Sequence, residues 1–404
     1  MTLPMPDLPS TITARAIAFH EFIQRRSSTA VIAALMGLSL IKSGIVIWNW
    51  FYLSPRLLDT WSNPGNPFQS NVIFNAFGTL WQEIIGPPTG PAWLITQFAV
   101  AVVGLGLISS LIYRRTKINT GYFTVAALLT TGIAAVLWRE VGRYDVIFLV
   151  AVTVAVLARR PWVCWLALGF AALSAPEQAL LACVAFALMT LLPRYRSWRR
   201  VALRFVVMSV TAVVAVQIWF TLAGNPYSTR LGLSLRFLAG NEIFAPSRFD
   251  AKQGFARATF EKFYEGLAAG SSLLWSYLGG GLILLLLALI LLPSFKQVVW
   301  LIVVVVAFPL AATLVFGEDP TRDLVIVGAP MIILIVLDGG AIFAELVQRL
   351  PGRSEVWLTW SALLISMLPV LYFFIYAEEA FNFTIHMLIS WNNGTPIDWS
   401  GNNR

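Results

Sequence analysis

Charged side chains are scarce in this chain of 404 residues. Only 12% of the residues are charged, whereas soluble globular proteins carry about 25%. Hydrophobic residues make up 58% of the chain, and the mean hydropathy is +0.75. So few charges cannot cover the surface of a soluble protein of this size. The composition therefore excludes a soluble enzyme, a disordered chain and a fibrous protein.

Cysteine and histidine are too rare to form sites of their own. Cys164 and Cys183 both lie within apolar runs, so no disulfide framework is predicted. His20 and His386 lie towards opposite ends of the chain and do not predict a His-rich metal site. No Walker loop, HExxH, GxSxG or Cys/His zinc spacing is present, so no nucleotide site is predicted. The cofactor is left open, with a divalent metal as one option.

Long apolar runs are abundant. A helix needs roughly 20 apolar residues to cross the hydrocarbon core, and its backbone polar groups must be satisfied within the helix. The sequence predicts an all-α fold, a polytopic membrane helix bundle with about 11 transmembrane helices in a single domain over 1–404. The three short runs between 145 and 192 either extend into their polar flanks or stop short of crossing. The predicted spans are 30–52, 92–113, 121–138, 145–158, 162–174, 179–192, 201–223, 271–292, 298–316, 324–346 and 356–376.

Basic residues alternate between the segments that join these runs. One set of segments holds 15 Lys and Arg residues, whereas the alternate short loops hold three, Arg139, Arg143 and Arg322. Because Lys and Arg are retained on the cytoplasmic side, we predict a plasma (inner) membrane protein with a cytoplasmic N-terminus and an extracytoplasmic C-terminus. The 15 residues are Arg15, Arg25, Arg26, Arg114, Arg115, Lys117, Arg159, Arg160, Arg194, Arg196, Arg199, Arg200, Lys296, Arg349 and Arg353.

Two long segments, 53–91 and 224–270, fall on the predicted outer side. In the first, apolar residues from Val72 to Ile84 recur at spacings of three and four, which predicts an amphipathic helix in the membrane interface. In the second, aromatic residues from Phe249 to Tyr264 lie among basic ones, which predicts an interfacial helix with a basic face. A structural cap and a cover over an active site are equally compatible with both helices.

Three short outer loops concentrate ionisable residues at the ends of predicted spans. Their sequences are WREVGRYD at 138–145, SAPEQ at 174–178 and GEDPTRD at 317–323. Charges near membrane depth are costly and tend to be functional, so we predict that these loops line one cavity that opens outward. A structural ion-pair network is the alternative. The candidate catalytic carboxylates are Glu140, Asp145, Glu177 and Asp319, and the candidate substrate-binding residues are Arg139, Arg143, Tyr144, Gln178 and Arg322.

The outer arginines can hold a lipid phosphate through bidentate hydrogen bonds. For Arg322, which lies between Asp319 and Asp323, pairing with a neighbouring acid is a strong alternative. Within the spans, Lys42 and Asp338 are the clear ionisable residues, and such residues need partners.

Asp59 is a further candidate because it follows the first run by only a few residues. A carboxylate at that position can act as a general base towards a hydroxyl at the membrane surface. The alternative is that Asp59 caps the start of a short interfacial helix, as Asp commonly does.

The direction and number of the spans, the long first outer loop and the acid soon after the first span resemble the GT-C superfamily of integral-membrane glycosyltransferases. The resemblance is one of topology and covers most of the chain. It implies a polyprenyl-phosphate-linked sugar donor, a glycan or glycolipid acceptor of the cell envelope, and a carboxylate of the first outer loop as catalytic base. Only Asp59 matches that position, because Thr60 and Trp61 follow where the family often has a second acid.

Two other classes of function remain open. An envelope polysaccharide polymerase or ligase would use similar Arg-rich outer loops. A secondary transporter would place ionisable residues or broken helices near the membrane midplane. The lipid bilayer is a predicted partner under every alternative, and no nucleic acid is expected.

Overall fold

The computed structural model describes residues 10–43, 91–116, 118–139, 141, 145–222, 274–316, 320–349 and 354–370. Within these ranges the secondary structure is helical and contains no strand, which confirms the predicted all-α fold for them. The helices are α1 (Ser10–Gln24), α2 (Ser28–Ser43), α3 (Pro91–Arg115), α4 (Ile118–Leu128), α5 (Gly132–Arg139), α6 (Asp145–Leu157), α7 (Pro161–Ser174), α8 (Pro176–Met189), α9 (Arg199–Leu222), α10 (Gly281–Ile290), α11 (Phe295–Ile302), α12 (Phe308–Phe316), α13 (Pro320–Gln348) and α14 (Ser354–Ser366).

Three stretches in the described residues are long and apolar enough to cross a membrane: Phe98–Arg115, Phe295–Ala312 and Arg322–Gln348. A fourth crossing results if the bent pair α4 and α5 forms one span. Helices α6, α7 and α8 have 13, 14 and 14 residues. At about 1.5 Å per residue they are roughly 20 Å long, shorter than the hydrocarbon core. Membrane-spanning character is thus supported, whereas eleven crossings remain a prediction.

Helix α13 is the central helix of the bundle. Within an 18-residue window of Arg322–Gln348, 83% of the residues are buried, against 33% for Phe98–Arg115 and 28% for Phe295–Ala312. The other two stretches therefore lie at the periphery, with apolar side chains facing outward. Arg322 and Asp338 are 16 residues apart on α13, which corresponds to about 24 Å along its axis. The helix thus carries Arg322 towards one end of the bundle and Asp338 towards the other. It packs against α4, α5, α6, α8, α10, α12 and α14.

Two helix breaks meet inside the bundle. One break lies within the predicted span 121–138 and the other within the predicted span 271–292. Helices α4 and α5 meet at an angle of 55°, and α10 is preceded by a turn at 279–280. Gly279 has a φ of +48°, and an added Cβ there would lie 1.6 Å from the carbonyl oxygen of Thr130. Only glycine permits both the backbone angle and the close approach.

The predicted span at 298–316 also contains an irregularity. Residues Val303–Ala307 form a π-helical turn between α11 and α12. Pro309 lies just beyond this turn, and it has no N–H to donate to the carbonyl of Val305. A π-turn widens the helix at such a point.

Helix α1 precedes the first apolar run and was not predicted. It packs against α14, where the ring centroids of Phe19 and Trp360 are 5.1 Å apart. Nδ1 of His20 and Oγ1 of Thr359 are within hydrogen-bond distance, at 2.8 Å. The interfacial helices predicted within 53–91 and 224–270 lie outside the described residues.

Candidate functional site

One end of the bundle holds a buried charge cluster formed by Arg322, Asp145 and Asp323, here called the Arg322 cluster. Nε and Nη2 of Arg322 donate to the two carboxylate oxygens of Asp145, at 2.8 and 2.9 Å. Nη1 of Arg322 lies 3.6 Å from Oδ1 of Asp323. The three side chains are only 10%, 2% and 9% exposed, respectively. The two acids lie in the first turns of α6 and α13, where the helix dipole favours negative charge.

Two further cations bind backbone carbonyls. Nε of Arg139 donates to the carbonyl of Ser43, the last described residue of α2, at 2.6 Å. Nζ of Lys42 donates to the carbonyl of Leu368 at 2.7 Å and also to that of Ser366, at the end of α14. Cations at helix C-termini satisfy free carbonyls and complement the helix dipole. Lys42 therefore has the partners that its position in an apolar helix requires.

The structure brings together two of the predicted site residues, Asp145 and Arg322, which are 177 residues apart in the chain. Nε of Arg139 donates to the carbonyl of Ser43 on α2. Gln178 is half-buried on α8 and takes part in at least one further interaction. The predicted common cavity thus stays a prediction. Asp59, Glu140, Arg143, Tyr144, Asp319 and the side chain of Glu177 lie outside what the structure describes.

An apolar groove of about 630 Å³ runs between α3, α6 and α7. Its lining includes Val146 and Ile147, the two residues that directly follow Asp145, so one end of the groove lies at the end of α6 that carries Asp145. Asp145 and Arg322 themselves do not line it. Val103 and Leu166 in its walls are 60% and 56% exposed, which leaves the groove open at the side of the bundle. Among the described lining residues, Thr96 is the only one with a polar side chain. A hydrocarbon chain fits these surroundings.

The other end of the bundle holds a second charge pair. Nη2 and Nε of Arg194 donate to the carboxylate of Asp338, the first at 2.9 Å to Oδ1. Oη of Tyr195 donates to Oδ2 of Asp338 at 3.1 Å. The hydrogen bond with Asp338 raises the pKa of Arg194 above its ordinary value. Burial, and then the charge of Asp338, raise the pKa of Tyr195.

The sequence did not predict this second pair. Asp338 was placed within a span, and Arg194 entered only the analysis of orientation. The available signal was that an acid in an apolar helix requires a cation. Beside the pair lies a pocket of about 470 Å³, between the end of α3, the start of α4, the 3₁₀ turn Pro193–Trp198 and α13.

The described residues contain no group of three or more His, Cys, Asp and Glu side chains that could hold a metal ion. The cofactor therefore remains open. Comparison with models of protein families, with curated proteins and with solved structures gives no match. The resemblance to GT-C glycosyltransferases thus rests on topology, and the function it implies is a proposal.

Proposed function

We propose that this chain is a GT-C-type glycosyltransferase of the plasma membrane. It moves a sugar from a polyprenyl-phosphate-linked donor to a glycan or glycolipid acceptor on the outer face. The observation that carries the proposal is the apolar groove, one end of which lies at the same end of α6 as the Arg322 cluster. A lipid-linked donor has the matching layout, with a hydrocarbon tail and a phosphate at headgroup depth.

The groove suits a prenyl chain in length as well as polarity. Its α3 wall extends from Thr96 to Leu107, about 16 Å along the helix. That length accommodates the part of the chain next to the phosphate, and the remaining tail can leave through the open side into lipid. The donor would thereby be held with its phosphate near the end where α6 begins.

The contacts favour distinct roles for the charged residues at this end. Both oxygens of Asp145 are engaged by Arg322, so we assign Asp145 to positioning Arg322 instead of to proton transfer. Because the guanidinium of Arg322 already lies between two acids, we assign the donor phosphate to Arg143. Asp59 remains the proposed base, because it is the acid that follows the first apolar run in the sequence.

In this reaction the acceptor hydroxyl attacks the anomeric carbon of the donor sugar. The bond from that carbon to the lipid phosphate breaks, and the phosphate leaves with the bonding electron pair. The base takes the proton of the hydroxyl. Loss of such a base typically costs roughly 10²–10⁴ in rate.

Transfer by the purified chain in nanodiscs, with a panel of polyprenyl-phosphate sugars, tests the proposal. We expect Asp59→Asn to lower the rate by about 10²–10⁴ while leaving the protein folded. Ala99→Phe fills the groove and should lower kcat/KM for the lipid donor about tenfold or more. Ala215→Phe is its matched control, because Ala215 is equally exposed but lies on α9, away from the groove. If no lipid-linked donor supports transfer by the unmodified chain, the glycosyltransferase proposal fails.

One observation favours a second candidate, a secondary transporter. The two helix breaks at Thr130 and Gly279 contact each other inside the bundle, and transporters bind their substrates at such interruptions. Solute or ion flux in proteoliposomes without any sugar transfer would favour this candidate. Transfer in detergent, where no gradient exists, would favour the enzyme.

The orientation can be tested separately. We expect Arg196→Cys to react with a membrane-impermeant maleimide only from the cytoplasmic side, and Pro320→Cys only from the outside. The native Cys164 and Cys183 are buried, so their background labelling should be low. Labelling of both introduced cysteines from the same side would contradict the predicted topology.

A further inference from the structure

The pocket at the Arg194 end is distinct from the proposed sugar-transfer site, which lies at the opposite end of α13. Its lining along α13 extends from Leu334 to Gln348, about 21 Å along the helix. The wall is therefore long enough to extend from headgroup depth into the acyl region of one leaflet.

The two halves of this wall differ in polarity. Leu334 and Leu337 line the deep part, Asp338 follows directly on the same wall, and Glu345 and Gln348 line the part near the end of α13. Trp198, a residue type that favours the lipid–water boundary, also contributes to the lining. This gradient from apolar to polar matches an amphipathic molecule better than a small soluble ion.

The charges along this wall, from Asp338 to Glu345, leave a positive site. Asp338 is matched by Arg194, and Glu345 by Arg349 at 2.6 Å. Arg115, at the end of α3, is exposed and forms no ion pair with another described residue. The bidentate contact with Asp338 occupies one edge of the Arg194 guanidinium, so its other edge can serve a second acceptor.

We propose that this pocket binds the phosphate headgroup of an anionic membrane lipid, with Arg115 and Arg194 on the phosphate and the lipid chain along Leu334 and Leu337. Basic pockets between transmembrane helices are suited to anionic headgroups. The start of α4, which contributes Thr120 to the lining, adds a positive helix end on the same side. The proposal is independent of the sugar-transfer reaction.

The test is binding of dioctanoyl-phosphatidylglycerol to the full chain in an uncharged detergent, followed by native mass spectrometry and by thermal shift. Dioctanoylglycerol, which lacks the phosphate, dioctanoyl-phosphatidylcholine, which carries a compensating positive charge, and inorganic phosphate are the comparison ligands. We expect saturable binding of phosphatidylglycerol, at least tenfold weaker binding of the two uncharged or zwitterionic lipids, and no measurable competition by inorganic phosphate at equal concentration.

The variants separate the pocket from general surface charge. Arg115→Gln should weaken phosphatidylglycerol binding about tenfold, since it removes a charged phosphate contact worth about that factor. Arg114→Gln is the matched control, because it removes the same charge from an equally exposed neighbour that does not line the pocket. Ala341→Phe should also weaken binding, because it fills the pocket from an exposed position without changing charge.

Three results would overturn the proposal. Equal weakening by Arg114→Gln and Arg115→Gln would assign the binding to surface charge. Unchanged phosphatidylglycerol binding in Ala341→Phe would show that the lipid does not bind in the pocket. Displacement of the bound phosphatidylglycerol by inorganic phosphate at equal concentration would assign the pocket to a soluble phosphate compound instead.

Discussion

The two ends of the bundle carry the same chemical unit in different surroundings. At each end an arginine makes a bidentate contact with an aspartate on another segment: Arg322 with Asp145 and Arg194 with Asp338. The first pair is 10% and 2% exposed, and the second is 29% and 25% exposed and borders a pocket. Equal geometry therefore does not mean equal function. Burial determines how much stability is lost when one residue of the pair is removed, and whether a ligand can reach the pair.

The buried pair should give the largest effect when it is broken. Asp145→Asn leaves the Arg322 charge buried, and removing one partner of a buried pair costs about 3–5 kcal/mol. We expect the lower end of this range because Asp323 remains 3.6 Å away. The free energy of unfolding in mixed micelles measures the loss. Asp145→Asn combined with Arg322→Gln should recover part of it, and strictly additive losses would contradict the pairing.

The contact between the helix breaks at Thr130 and Gly279 should be the next most sensitive point. Gly279→Ala introduces a methyl group against the Thr130 carbonyl and forces a positive φ on alanine. We expect a loss on the order of 2–4 kcal/mol from strain and overpacking. Gly37→Ala is the matched control, since nothing lies within 4 Å of an added Cβ there. Helix propensity predicts that this control gains about 0.5–1 kcal/mol. Equal thermal midpoints for both variants would contradict the close contact of the two breaks.

The comparison also separates what the sequence could predict from what it could not. Hydropathy indicated the helices, and the charge of outer loops selected both Asp145 and Arg322. The predicted alternative for Arg322 was a neighbouring acid, yet its main partner is 177 residues away in the chain. Pairs such as Arg194 with Asp338 depend on how helices pack, and no local spacing encodes that packing.

The two helix breaks were also not predicted from the sequence, although one of them has a sequence signal. Gly279, Gly280 and Gly281 form a run that could have predicted the break before α10. The bend after Leu128 lies where Thr130 packs against that glycine turn, a contact between distant parts of the chain. A hydropathy run does not register such a bend, because the residues on both sides of it are apolar.

The partly exposed pair of Arg194 and Asp338 should contribute less to stability than the buried pair of Arg322 and Asp145. Asp338→Asn removes the carboxylate charge beside Arg194, but water reaches both side chains. We therefore expect a loss of about 1 kcal/mol or less, decreasing further at high salt because exposed charges are screened. Unfolding measured at low and at high salt tests this. A loss as large as that of Asp145→Asn, with no dependence on salt, would mean that the two ends are equivalent.

The smallest effect is expected at Tyr195, whose hydroxyl donates to Asp338. Tyr195→Phe keeps the packing of a side chain that is only 2% exposed and removes one hydrogen bond, which costs about 0.5–1 kcal/mol near neutral pH. Burial and Asp338 raise the pKa of Tyr195 above its ordinary value of about 10, so the folded state retains the proton that the unfolded state loses. The contribution of Tyr195 is thus fully present below about pH 10 and is lost as pH rises above it. The difference in stability between the parent chain and Tyr195→Phe should accordingly shrink above pH 10. A difference that stays constant through pH 11 would show that Tyr195 is not held in its neutral form by this end of the bundle.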